Sequence, residues 1–267
     1  MRRRSFAAPP FVHARGPAVR GLAVRAFAVA LPLAAALAAP AAAGADLMLR
    51  LKGHIEAFKV GDRAQEPRDA DVNVWLATDK MRRDEGPLSA IVRLDRKKLY
   101  LVNHAEKTYS VVDLPVDLAK LVPKGDQEKF QQFVAESRIQ AKVAPAAETR
   151  KIRGWNAHRV DVELSNAHGL RVSTRMWLTK DLGPYGAYNR MNGVLASLQP
   201  NSAEWSHKIG DLDGFPVYQE TTVNVGGASF KSHEEVVAVE TKEVPDVTYD
   251  PPVGFNPVPY DPFGSPQ

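Results

Sequence analysis

Six histidines follow residue 45: His54, His104, His158, His168, His207 and His233. Imidazoles that hold a metal on one element are spaced three or four residues apart on a helix, as in H-E-x-x-H, and no such pair occurs. His233-Glu234-Glu235 is the densest cluster, but neighbours on a strand point to opposite faces and cannot converge on one ion. Only a site assembled from distant residues is left, and no metal is expected. Asp211-Leu212-Asp213-Gly214 starts like a calcium loop but lacks the distal bidentate glutamate, so a hairpin turn is the better reading. Nucleophilic catalysis has no G-x-S-x-G elbow and no cysteine to use, and no sequence feature joins a serine, a histidine and an aspartate. Gly226-Gly227 leads from strand to strand, so it is neither a phosphate loop nor a dinucleotide fingerprint. A carboxylate pair for glycoside hydrolysis is defined by a spacing in space, which sequence does not display. No catalytic residue and no cofactor are therefore expected.

Charge narrows the partners. The chain has 267 residues and a formal net charge of +4. Six arginines and no acid lie in the first 45 residues, which leaves 29 basic against 31 acidic residues in the body. A body at −2 has no field for phosphate backbones, and no nucleic-acid partner is expected. The leader has a basic start, an apolar run over Ala26–Ala39 broken by Pro32, and small residues around Ala43-Gly44-Ala45. That order predicts a signal peptide over 1–45, cleaved near Ala45, and a periplasmic protein. An uncleaved anchor is the competing reading, and a twin-arginine route stays open beside the general one because "RRRSF" opens the chain. Without cysteine there is no thiol to acylate, so no lipid anchor is expected.

Period-two alternation dominates what must position any site. Leu47, Leu49, Leu51, Gly53 and Ile55 alternate with Met48, Arg50, Lys52 and His54, and the same rhythm covers 71–76, 88–95, 160–164 and 170–178. One apolar and one polar face per strand marks antiparallel sheet. "DRKK" at 95–98, "NHAEK" at 103–107 and "NVGGAS" at 224–229 serve as turns, the last with two glycines suited to positive φ. Nine to eleven strands are expected, with Arg93, Arg96, Lys97 and Lys98 on the wet face and in the turns. Short helical segments fall at 115–122, at 126–137 (Phe130, Phe133 and Val134 on one side) and at 184–199 (Tyr188, Met191, Leu195 and Leu198 on one side, with Pro184 in the first turn). The fold class is mainly β, of α+β type: a curved antiparallel sheet or incomplete barrel with two or three helices covering its concave face. Its domain spans 46–248, and a proline-rich tail, 249–267, forms a strap or a loose end. Trp75 and Trp177 fall opposite the Val/Leu rows. Tail packing over them is preferred to an exposed partner patch.

The motifs "DKMRRDEG" at 79–86, "IVRLDRKKLYLVNHAEKTY" at 91–109, "RKIRGWNAHRVDVEL" at 150–164 and "RMWLTKDLG" at 175–183 resemble an uncharacterised, domain-of-unknown-function branch of the LolA/LolB-like superfamily of periplasmic lipoprotein-carrier folds. The resemblance implies a half-barrel whose concave apolar face, partly plugged by helices, holds acyl chains or other hydrophobic ligands. LolB is itself lipid-anchored, and this chain departs from it there.

Two functions are carried forward. The first is a non-catalytic periplasmic binder of a hydrophobic or acylated ligand, with inward positions Leu49, Leu51, Val74, Leu94, Val162, Val172 and Met176 facing Phe130, Phe133, Met191 and Leu195. Position by position, a dry core explains the same residues. The second is an envelope protein-interaction module using the sheet edge or the Trp75/Trp177 face. A hydrolase would need a convergent polar pocket.

Overall fold

A computed structural model of the chain describes residues 46–60, 63–136, 138–199 and 201–261. The leader, its cleavage point near Ala45 and the end of the tail lie outside them. The fold grows outward from β1 (Asp46–Ile55), which sits in the middle of a twelve-stranded sheet. On one side runs an antiparallel meander: β4 (Arg68–Leu76), β5 (Lys80–Glu85), β6 (Leu88–Arg93), β7 (Lys98–Asn103) and β8 (Thr108–Asp113). On the other side β13 (Ala228–Lys242) pairs with β1, followed outward by β12 (Phe215–Val225), β11 (Arg171–Thr179), β10 (Trp155–Asn166) and β9 (Ile139–Ile152). The sheet is curved and antiparallel, and it does not close into a barrel.

A small hairpin, β2 (Phe58–Val60) with β3 (Arg63–Gln65), stands apart, and β14 (Asn256–Pro257) joins β8 in parallel. These three short strands take the total among the described residues to fourteen, above the nine to eleven expected. Two or three residues hold no alternation to detect, so the sequence pattern misses them. Pro145 lies in β9, an edge strand of the sheet, where proline is tolerated. Gly226 and Gly227 both take positive φ, 57° and 80°, and close the β12–β13 hairpin as their types require.

Among the described residues four α-helices interrupt the strands: α1 (Leu118–Leu121), α2 (Gln127–Glu136), α3 (Tyr185–Ala196) and α4 (Ala203–Gly210). The first three match the expected segments, except that Pro184 caps α3 from outside instead of filling its first turn. The fourth was not expected, because Pro200 reads as a stop. Helix α3 crosses one face of the sheet, touching β5, β6 and β12, and α4 packs on α3 and on β9. The α3–α4 crossing is close because of Gly193, where an added Cβ would lie 3.1 Å from the Ser206 carbonyl and 3.7 Å from Gly210 Cα.

This helix face carries two buried clusters. The larger includes Leu47, Leu49, Leu51, Val72, Val74, Leu76, Met81, Val92, Tyr188, Met191 and Val236. The smaller joins Val160, Val162, Met176, Leu178 and Leu212, with Ile209 of α4 packed on it.

The opposite face is not wet throughout. Ile91, Val102 and Tyr249 are buried there, and Trp75, Tyr100, Tyr109, Val244 and Phe255 pack around them. The C-terminal segment supplies this cover through a 3-10 turn at Asp246–Tyr249 and then β14. The tail is therefore a strap, and it covers Trp75. Trp177 is also buried, with the Arg150 guanidinium 3.9 Å from its ring centroid.

The expectation that Arg93 sits on the wet face is corrected. Its side chain is 3% exposed and pairs with Asp95 at 2.7 Å, Asp246 at 3.2 Å and Asp250 at 3.3 Å. Alternation placed Arg93 on the face opposite Val92; what it did not reveal is that residues 153 and 157 positions away return to cover that face.

Candidate functional site

Between the two helix-face clusters runs a cleft of about 310 Å³. Leu51 and Val236 form one wall, from the central strands. Val162, Leu164 and Met176 form the other, from β10 and β11. Trp205, Ile209 and Leu212 close it from α4 and the loop that follows. Its position follows from the fold. Helix α3 lies over the larger core and α4 over the smaller, and a 12-residue and an 8-residue helix do not cover the whole seam between them.

Two side chains hold the helices in this arrangement. Asn189, buried in α3, donates through Nδ2 to the carbonyls of Leu212 at 2.7 Å and Gly214 at 2.9 Å, which ties α3 to the α4–β12 connection. Lys208 of α4 donates to the Ala141 carbonyl of β9 at 2.7 Å. Both interactions are charge-assisted or buried, so they fix geometry as well as adding energy.

One end of the cleft is polar. Arg83, on the same face of β5 as the buried Met81, donates to Glu234 at 2.5 Å and Glu85 at 3.2 Å. Burial works against the guanidinium charge, but Glu234 and Glu85 outweigh it and hold Arg83 fully protonated. Tyr188 faces the same group. Burial pushes its phenol up, opposed by Arg83, so it stays a neutral hydrogen-bonding group. Gln219 Nε2 approaches Glu234 at 3.4 Å, and the Thr174 and Thr221 hydroxyls share a hydrogen bond of 3.0 Å across β11 and β12. Within the lining, the indole Nε1 of Trp205 is buried and has no acceptor.

Of the eleven inward positions, the structure brings Leu51, Val162 and Met176 to the cleft. Leu49, Val74 and Met191 are fully buried in the larger core and line no space. Leu94 and Leu195 are half-buried against that core. Val172 is half-buried on β11 away from the cleft. Phe130 (buried) and Phe133 (half-buried) lie on α2, also outside it.

The polar members Arg83, Glu234, Gln219 and Asn189 escaped the sequence reading, as did all of α4. The available signal was parity: Arg83 follows Met81 by two, and Glu234 precedes Val236 by two, so each continues an inward row.

The other candidate chemistry separates as follows. His233, Glu234 and Glu235 do diverge: His233 packs 5.3 Å from the His54 ring, Glu234 takes Arg83 and Glu235 takes Arg153. No group of three metal-ligating side chains occurs among the described residues. One serine–histidine contact that sequence did not foresee is present. Ser89 Oγ lies 2.6 Å from His104 Nε2, but Ser89 is buried and the His104 ring packs edge-on to Phe255 of the strap. Neither residue lines the cleft.

A family model described as "Domain of unknown function (DUF4412)" matches residues 70–255 of the chain. A comparison with curated protein sequences gives no match. Among solved structures, PNGF-II, crystallised in space group C2, is similar at a TM-score of 0.40 and 13% identity over 81% of this chain. The match spans about a third of that protein, 31%. A candidate outer membrane lipoprotein-sorting protein domain from Vibrio parahaemolyticus is similar at a TM-score of 0.28 and 6% identity, covering 77% of this chain and 89% of that one. Both scores mark a loose likeness.

Proposed function

The chain belongs to the DUF4412 family, and from its own geometry we propose that it is a non-catalytic carrier that binds a small hydrophobic molecule in the cleft beneath α3 and α4. The cleft between two packed cores is the observation that supports this most. The cleft, about 310 Å³, is partly open to solvent and is lined mostly by apolar side chains with a few polar groups at one end, the lining that suits a small hydrophobic molecule. The unpartnered Trp205 donor points the same way, because an occupant with an acceptor would satisfy it.

The basic, apolar and small-residue order of the leader supports export and a periplasmic setting. The alternative of a protein-docking face on Trp75 and Trp177 loses its footing, since the strap covers the first and the second is buried beside Arg150.

Native mass spectrometry of protein isolated from envelope, with uptake of an apolar dye and its displacement by dodecanoate, tests the reading. Met176→Trp, which fills the cleft, is expected to abolish uptake while leaving the melting temperature within a few degrees. No co-purifying apolar molecule together with no dye uptake by the unmodified protein overturns the proposal.

A further inference from the structure

The cleft does not end at Glu234. A second hollow of about 160 Å³ adjoins it, and Gln219, Thr221 and Glu234 line both. The two differ in chemistry. The larger is walled by Leu51, Val162, Leu164, Met176 and Ile209. The smaller, at the far ends of β1, β4 and β13, presents Arg68, Glu85 and Ser232.

Their charges are not equally available. Glu85 and Glu234 are both spent on the Arg83 guanidinium. Arg68 lines the smaller hollow, exposed, with no ion pair or hydrogen bond from its side chain among the described residues. An apolar chamber therefore adjoins a polar one in which, among the described residues that line it, Arg68 is the formal charge left without an ion pair.

We infer that the molecule bound is a single-tailed amphiphile with an anionic head: its tail lies in the larger cleft and its carboxylate or phosphate meets Arg68 in the smaller hollow. This rests on the reading of the cleft as a ligand site. Volume supports one tail. Small-molecule sites span about 300–1,000 Å³, and the larger cleft stands at the bottom of that range, too small for a multiply acylated anchor. The polar wall at Arg83–Glu234 also limits how far a purely apolar chain can extend without leaving charge unsolvated. A polar head resolves that conflict at the boundary between the two spaces.

The test compares dodecanoate, dodecyl phosphate and neutral dodecanol by displacement of a bound dye from the purified protein, with melting temperature as the folding control. Both anions are expected to bind more tightly than the alcohol. Arg68→Ala is expected to weaken the anions about threefold to tenfold, as for a partly exposed charge-assisted contact, Arg68→Glu to weaken them further, and both to leave the alcohol within about twofold. A larger loss for dodecyl phosphate identifies a phosphate head, and a larger loss for dodecanoate a carboxylate. Equal affinity for alcohol and anions, or anion binding lost with Trp205→Phe but untouched by Arg68→Glu, overturns the head-group site while the cleft reading stands. If none of the three probes binds the unmodified protein, the cleft reading fails first and this inference fails with it.

Discussion

The two faces of this sheet are covered in opposite ways. On the strap face, Tyr249 is fully buried, its hydroxyl donates to Asp46 at 2.9 Å, and Arg93 is enclosed by three aspartates, two of them on the strap. On the helix face, α3 and α4 cover two cores and leave a cleft between them. One cover fills its space and is locked by ions. The other spans its space and leaves room. The same strands support both, so the difference lies in the covering segments. An irregular segment adjusts residue by residue to the sheet beneath it, whereas a helix is a rigid cylinder that meets a curved sheet only along a line.

Ways to break that comparison run from large to small. Tyr249→Ala removes a fully buried ring from the filled side and is expected to cost about 3–5 kcal/mol, measured by urea unfolding. Arg93→Ala removes the one enclosed cation that Asp95, Asp246 and Asp250 share and leaves Asp246 and Asp250 only their more exposed contacts with Lys80 and Arg96, and up to about 3 kcal/mol is expected for removing the enclosed partner of such a set. Arg93→Lys should recover part of that loss, because an ammonium restores charge without the bidentate contact to Asp95.

Leucine truncations should separate packed from unpacked positions on the helix face itself. Leu49→Ala, in the larger core, is expected to cost about 2–5 kcal/mol, and Leu164→Ala, beside the cleft, about 1 kcal/mol or less, because its neighbours already face space. Equal losses would show that the cleft is packed in solution.

A pH titration probes the ion lock. The Lys80 ammonium, with Arg93, holds the Asp246 carboxyl below the ordinary carboxylate range, and the Arg93 guanidinium does the same for Asp95. Both carboxylates have folded pKa values below their unfolded ones. Their contribution is therefore complete above about pH 4, and it is lost as pH falls through the folded values. Limited proteolysis of the strap should be flat from pH 5 to 8 and should rise below about pH 4. High salt should loosen the exposed Arg96 pairs before the enclosed Arg93.

How much of this was legible in the sequence depends on the range of the signal. Met176 and Val162 stand in alternating rows, and alternation is a local property of a strand, so their face could be read directly. The row that holds Leu49 and Leu51 shows the limit. Both residues are inward, yet only Leu51 meets open space, and that depends on where α4 ends, at Gly210, far along the chain. Phe130 and Phe133 have helical spacing and do lie on a helix, but spacing does not say which part of the sheet a helix covers. Helix α4 was hidden because Pro200 reads as a stop, while the close approach that holds α4 depends on the absence of a Cβ at Gly193.

The sequence by itself determined the antiparallel sheet, its hairpin turns, three of its helices and the lack of any local catalytic or metal motif, because each is set by residues within a few positions of one another; the hairpin turn expected at Asp211–Gly214 is instead the loop from α4 into β12, since a helix rather than a strand precedes it. Only the tertiary structure decided that Arg93 is enclosed, that Arg83 and Glu234 meet across 151 residues of chain, and that a cleft separates two cores. Those features arise where distant segments close over one another. Whether a covering segment fills its space depends on shape and reach, which no local periodicity records.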